Sequence, residues 1–258
     1  MNYAISTPQQ STLNTRAGLR QLLRYLVAVA ALVLSGAATG FAQTQKLAAP
    51  GTSEVLGQID SVTIAAAVQA PSNQQTPLQV ICVFQYTEGD IFNSPPALPR
   101  NLNGLVHVDD ALKGMLTELR KSGKFEGRAL ETILITPPVG SMPAEKLLII
   151  GLGDRKTFNP ELMTSVGRVE MREALRLGVS SYSHASDLKD AGIDSPTGVV
   201  AVNVIKGAIN AYETERFLKG HSLTAFQPMA KITLLAGPAF FQVTADAVKA
   251  FLATSKGN

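Results

Sequence analysis

The chain has 258 residues, of which 45% are hydrophobic and 17% charged, a composition that builds a packed core and excludes a disordered polymer. Its formal charge of +3 lies wholly in residues 1–42, which hold Arg16, Arg20 and Arg24 and no acid; removing these three from the 23 Lys and Arg leaves 20, equal to the 20 Asp and Glu. The remainder is neutral, with no basic block and no interleaving of aromatic and basic residues, so binding to nucleic acid, whose affinity comes from phosphate neutralisation, is not expected.

The three arginines precede an apolar run from Leu26 to Ala42 that is rich in small residues and closes on Gly40-Phe41-Ala42. Small residues at the −3 and −1 positions are those a signal peptidase accepts. The expectation is an export signal over residues 1–42, cleaved before Gln43, and a periplasmic or secreted protein. The alternative is an uncleaved N-terminal anchor, the one membrane association the sequence suggests. No cysteine lies near the cleavage site and no twin arginine precedes it.

Residues 43–56 are polar and carry Pro50 and Gly51, and read as a loose linker; residues 57–258 read as one domain. Ile59 to Val68 has the apolar, β-branched content of a strand, and Leu78 to Phe84 is a second, with "PSNQQTP" breaking the chain between them. The passage from Tyr86 to Gly104 is long and turn-rich, of the kind found at functional or interface surfaces. Val108 to Gly123 reads as one helix, with Asp109 and Asp110 at its positive N-terminal end and Gly123 at its close. Strands follow at Glu131 to Pro138 and Glu145 to Gly153.

A helix from Asn159 to Leu177 is marked by Asn159 as N-cap, Pro160 in the first turn and Gly178 at the end. Val179 to Ser186 is a short strand, Thr197 to Leu218 a helix, Lys231 to Gly237 a strand and Phe240 to Thr254 a last helix. Strands alternating with helices predict a three-layer α/β/α domain of about 200 residues around a mixed sheet. Tyr212, Phe217 and Phe226 read as core anchors.

"KLLIIGLGDRKTFNPELM", Lys146 to Met163, runs from an apolar strand through Gly151-Leu152-Gly153 into a helix start. That arrangement cradles phosphate when complete. Here the third glycine of G-x-G-x-x-G is replaced by Lys156, and no Gly-Lys-Ser/Thr of a Walker loop is present. A strand-to-helix turn that uses the positive φ open to glycine is the cheaper reading. Gly151 and Gly153 nonetheless stay as the cofactor-binding candidates, together with the loop from Gly89 to Asn93.

The stretch Glu145 to Ser183 resembles the N-terminal domain of the leucyl aminopeptidases of the cytosol aminopeptidase family. "GDIFNSPPALPRNLNGLVHVDDALKGMLTELRKSGKFEGRALETILI" is similar to that domain's loop, first helix and next strand. "VIKGAINAYETERFL" (Val204 to Leu218) is similar to its G-A-x-x-x-A-Y-x-F-D-x-Y helix, with Thr214-Glu215 in place of Phe-Asp. The resemblance runs in order over about Ile59 to Thr254 and implies a macro-domain-like sheet. It also implies a domain that shapes the family's hexamer and access to its active site.

In that family catalysis belongs to a C-terminal domain, where a lysine, aspartates and a glutamate around N-T-D-A-E-G-R hold two metal ions. This sequence has no such motif, and no catalytic residue, metal ligand or cofactor is assigned. The only adjacent acidic pair considered, Asp109 and Asp110, points apart on a helix and suits capping. His107, His184 and His221 form no zinc motif, and Ser183 to Asp187, although it contains Ser, His and Asp, lacks G-x-S-x-G and reads as a strand-end loop. Cys82, the only cysteine, reads as a buried structural thiol. The expectation is therefore a non-catalytic exported binding domain that self-associates as a homo-oligomer or pairs with another exported protein. A small-ligand, nucleotide-like binding domain is the alternative, and a genuine metallo-aminopeptidase the third.

Overall fold

The computed structural model describes residues 47–89 and 98–255. Among these, seven strands form one sheet: β1 (Ser53–Ile59), β2 (Val62–Ala67), β3 (Leu78–Val83), β4 (Thr132–Ile135), β5 (Lys146–Gly151), β6 (Ser181–Ala185) and β7 (Lys231–Leu235). Their order is β1-β2-β7-β6-β3-β5-β4. The five inner strands run parallel, and β1 and β4 close the edges antiparallel to β2 and β5. β3 is buried at every position, as a strand covered on both faces must be.

The helices are α1 (Gly104–Ala111), α2 (Met115–Lys121), α3 (Leu162–Arg176), α4 (Thr197–Gly220) and α5 (Phe241–Ser255). α3, α4 and α5 pack side by side, with α5 also lying on β1 and β2, while α1 and α2 belong to the opposing layer, giving the expected three-layer α/β/α mixed sheet. Among the described residues no helix is long and apolar enough to cross a membrane.

Four sequence expectations change. The linker expected through Leu56 ends earlier, because Ser53 to Ile59 pair with β2, and the strand expected from Ile59 is half of a hairpin. Asp60 and Ser61 turn that hairpin at φ 50° and 67°, the left-handed pair a two-residue turn requires. The single helix expected from Val108 is two: Lys113 and Gly114 take φ 55° and 82° and break it. Asp109 therefore caps not its own helix but α2, accepting from the Thr117 N–H at 3.0 Å and the Thr117 hydroxyl at 2.7 Å, while Asp110 accepts from Arg100 at 2.6 Å on the surface. Phe217 is 64% exposed and stacks on His221 rather than anchoring the core; Tyr212 and Phe226 do meet edge to face.

Candidate functional site

Parallel strands bring their carboxyl ends to one rim of the sheet, where loops diverge and leave crevices for ligands. A cavity of about 340 Å³ opens on this rim above β2, β7 and β6, within the size range of small-molecule sites. Its walls are apolar, with Pro71, Leu102, Val200 and Phe240 among them. Its polar lining includes His184, Ser186, Asp187 and Asp190, from the end of β6 and the following loop.

His184 belongs to a buried chain of hydrogen bonds. Glu170, on α3 and fully buried, takes the Tyr182 hydroxyl at 3.1 Å on Oε1 and faces His184 Nδ1 at 2.6 Å on Oε2. Tyr182 and His184 are two apart on β6 and so share the face that α3 covers. Burial, and then the charge of Glu170, push the Tyr182 phenol well up, keeping it a donor. The carboxylate holds the ring orientation of His184 through this one nitrogen. Its Nε2 is buried and, among the described residues, has no hydrogen-bond partner.

Asp187 and Asp190 form a second buried pair. Asp187 holds a left-handed backbone, φ 56°, which is uncommon for a residue other than glycine and clusters at functional sites. Its carboxyl accepts the Cys82 N–H at 3.2 Å, at the position where β3 outruns its ladder with β6. Burial is the first cause, and Asp190 the second, of the upward push on the Asp187 carboxyl. Asp190, raised to about 6 by burial, is held down by the backbone N–H groups of Gly104 and Leu105, at 2.8 and 3.3 Å. Asn103 caps Val106 at 3.1 Å and donates to the Asp190 carbonyl at 3.0 Å, so the N-terminus of α1 is closed by the protein's own carboxylate and amide.

The glycine candidates lie elsewhere. Neither Gly151 nor Gly153 lines the cavity. The Gly151 N–H donates to the Glu131 carbonyl and that of Gly153 to Gly127, at 2.8 and 2.9 Å, while the intervening Leu152 N–H donates to Val83 at 2.8 Å. A Cβ at Gly151 would sit 2.1 Å from the Arg128 carbonyl oxygen, and Gly153 holds φ 75°. These glycines let the segment 127–131 close over the strand end, and their N–H groups donate to it. Of the companion loop, residues 90–93 lie outside the described residues.

Of Ser183 to Asp187, expected as a strand-end loop, the first three residues belong to β6, which ends at Ala185, and only Ser186 and Asp187 lie beyond it; His184 pairs with Glu170 rather than Asp187, and Ser183 faces the opposite side of the sheet. His107 and His184, unconnected in sequence, line the same cavity. Cys82 is buried, and desolvation pushes its thiol well up, which suits an inert structural residue. Among the described residues no group of three His, Cys, Asp or Glu is arranged to hold a metal ion. Glu170 was the residue the sequence reading missed. Its signal was position: it falls in the stripe Val166, Gly167, Met171, Ala174 that α3 buries, where an acid needs a partner.

The fold is that of the macrodomains. The chain is similar to a macrodomain from Oceanobacillus iheyensis at a TM-score of 0.52 and 14% identity, covering 80% of this chain and 96% of that one. It is similar to a Trypanosoma brucei macrodomain at 0.51 and 14%, covering 76% and 71%. A structure of that trypanosomal macrodomain in complex with ADP-ribose matches at 0.50 and 14%, covering 76% and 74%.

At the level of sequence, residues 92–217 match the N-terminal domain of the cytosol aminopeptidase family. It is 32% identical over 128 residues to a probable cytosol aminopeptidase of Thermosynechococcus vestitus, covering 48% of this chain and 24% of that one. A probable cytosol aminopeptidase of Sinorhizobium fredii is 31% identical over 139 residues, covering 52% and 26%. The match thus spans about a quarter of the length of these curated relatives.

Proposed function

We propose that the folded part of this chain is an exported binding module whose site is the cleft at the carboxyl ends of β2, β7 and β6, and that its ligand is a small, nucleotide-like molecule. The observation that carries the reading is the coincidence in one cavity of apolar walls, His184 and the Asp187–Asp190 pair, with Asp187 in a left-handed backbone. A few convergent polar groups in an apolar cleft are what orient a small ligand. A macrodomain of the same fold is described in complex with ADP-ribose, which makes nucleosides and their derivatives the first class to offer. Titration of the isotope-labelled protein with adenosine and with ADP-ribose at millimolar concentration tests it. Amide shifts centred on Ala70, Ser186 and Ala236 are expected; no shift with either compound removes the reading. N-terminal sequencing of protein recovered from producing cells tests export: a start at Gln43 is expected, and retention of Met1 marks an anchor.

The open sheet edge supports a second reading, as a module that self-associates or pairs with another exported protein. β4 is hydrogen-bonded on one side only and leaves Leu134 and Leu130 each 37% exposed, and an exposed edge is a template for strand pairing. Light scattering of the chain from Gln43, alone and with exported proteins of its native compartment, separates the outcomes. A stable assembly supports pairing; a monomer that captures nothing removes it.

A further inference from the structure

α4 begins at the cleft with its first turn open. Pro196, at the N-cap, has no side-chain acceptor, the first turn holds no acid, and the Val200 N–H is the first to be taken up, by the Pro196 carbonyl at 3.1 Å. The N–H groups of Thr197, Gly198 and Val199 find no acceptor among the described residues, which leaves the positive end of a 24-residue helix open to an anion. Thr197, Val200, Ala201 and Val204, one face of that helix, line the cavity from this turn onward. α1 makes the contrast, because its N-terminus already holds the Asp190 carboxylate on the Gly104 and Leu105 N–H groups.

Two buried hydroxyls beside the open turn point independently to a ligand. Ser195 and Thr244 line the same cavity and are only 8% and 4% exposed, yet neither hydroxyl has a hydrogen-bond partner among the described residues, and neither is sealed off from the cavity. Thr214 of α4 returns its hydroxyl to the Asn210 carbonyl at 2.9 Å, the usual resort of a helical threonine; Thr244, on α5, makes no such bond. Gly198 brings the two helices together, since a Cβ there would stand 2.8 Å from that of Ala247 and 3.4 Å from the Val243 carbonyl oxygen. The stretch 243–247 of α5 thus lies beside the open turn. Lys189 also lines the cavity, with its Nζ 5.6 Å from the centre of the Phe240 ring just before α5. Asp187 and Asp190, the acids of the cavity, lie towards β3 and α1, where they accept from Cys82, Gly104 and Leu105, whereas α5 follows β7 on the other side of β6.

We infer that the first turn of α4, with the hydroxyls of Ser195 and Thr244, is an oxyanion subsite of the cleft. The ligand carries a carboxylate or a phosphate monoester against these donors, and its uncharged body lies along the apolar wall of Val200, Val204 and Phe240. The inference rests on the reading that the cleft is a ligand site. Free N–H groups and unpartnered hydroxyls alike call for an acceptor, and an oxyanion supplies several lone pairs at one point. Lys189 adds a positive charge, and its ion pair with Asp194, whose side chain is 91% exposed, holds it only weakly.

Calorimetry and amide NMR on the full chain compare three probes: adenosine, adenosine 5′-monophosphate and adenosine 5′-carboxylate. Both anions are expected to bind about tenfold or more tightly than adenosine and to move the amides of Thr197, Gly198 and Val199, which adenosine leaves in place. A gain shown by one anion alone supports the subsite and tells phosphate from carboxylate as its source. Thr197→Asp puts an acid on the open turn. It is expected to raise the melting temperature, because the turn gains the charge it lacks, and to bring the anions down to the affinity of adenosine. Ser195→Ala, the loss of one oxygen, is expected to weaken the anions about tenfold, with a thermal melt to show that the variant is folded. If neither anion binds more tightly than adenosine, or if Thr197→Asp leaves their advantage intact, the subsite is overturned and the cleft still stands as a ligand site. Failure of all three probes, with no amide moved, removes both readings.

Discussion

Gly167 of α3 and Gly207 of α4 lie against each other's helix backbones. A Cβ at Gly167 would stand 2.1 Å from the Val204 carbonyl oxygen, and one at Gly207 would stand 1.9 Å from that of Thr164. Small residues facing one another allow two helices to approach until their backbones touch. The contact fixes α3 against α4, and α3 carries Glu170 to Tyr182 and His184. Gly207→Ala, although it raises helix propensity, is expected to cost about 2–4 kcal/mol in urea denaturation, because backbone cannot move aside as a side chain would. A change below about 0.5 kcal/mol would show that the helices separate freely.

The buried chain from Tyr182 through Glu170 to His184 makes a graded series. Tyr182→Phe removes one hydroxyl donor and leaves Glu170 its other partner, at an expected cost of about 1 kcal/mol. Glu170→Leu leaves the His184 Nδ1–H and the Tyr182 hydroxyl both buried without an acceptor and is expected to cost about 3–5 kcal/mol. Denaturation midpoints of the two variants check the order. Equal small losses would mean that the chain contributes little to the fold.

The elements with strong periodicity were legible in the sequence. α3 announced itself by Asn159, Pro160 and Gly178, and the Asn159 side chain does accept the Glu161 N–H at 2.9 Å, although the regular helix starts at Leu162. β1 was hidden because its pattern is interrupted at Gly57, where the register shifts, and because as an edge strand it fully buries only Leu56. The break between α1 and α2 was hidden because the apolar stripe continues across it through Leu112, Met115 and Leu116, while a lysine takes the left-handed conformation. The cleft was hidden for a different reason. Gly104 lies far along the chain from Asp190, and Glu170 sits on a different element from His184, so only the crossover of parallel strands assembles them.

The hairpin at Asp60 and Ser61 offers a gain. Ser61 holds φ 67°, a conformation that costs any residue with a Cβ and costs glycine nothing. Asp60 stays in place to pair with Arg216 at 3.3 Å. Ser61→Gly is expected to stabilise by about 0.5–1 kcal/mol, the relief of strain outweighing the added freedom of the unfolded chain. A rise of a few degrees in the melting temperature checks it, and a fall would show that the entropy of the unfolded chain decides.

The carboxyl pair gives the protein a pH dependence opposite in sign to that of a salt-bridged acid. Asp190 titrates at about 6 in the fold, because burial outweighs its two N–H donors, against an ordinary value of 3.8. The folded state therefore holds more protons than the unfolded state between about pH 4 and 6, and stability falls as pH rises through that window. A shift of about two units corresponds to about 3 kcal/mol. Asp187, pushed well up as well, extends the decline to higher pH. Asp190→Asn keeps an acceptor for Gly104 and Leu105 but removes the titration, so its stability profile is expected to be flatter across the window. Urea denaturation of both proteins at intervals from pH 4 to 7 measures the difference; parallel profiles would show that Asp190 ionises as it does in water.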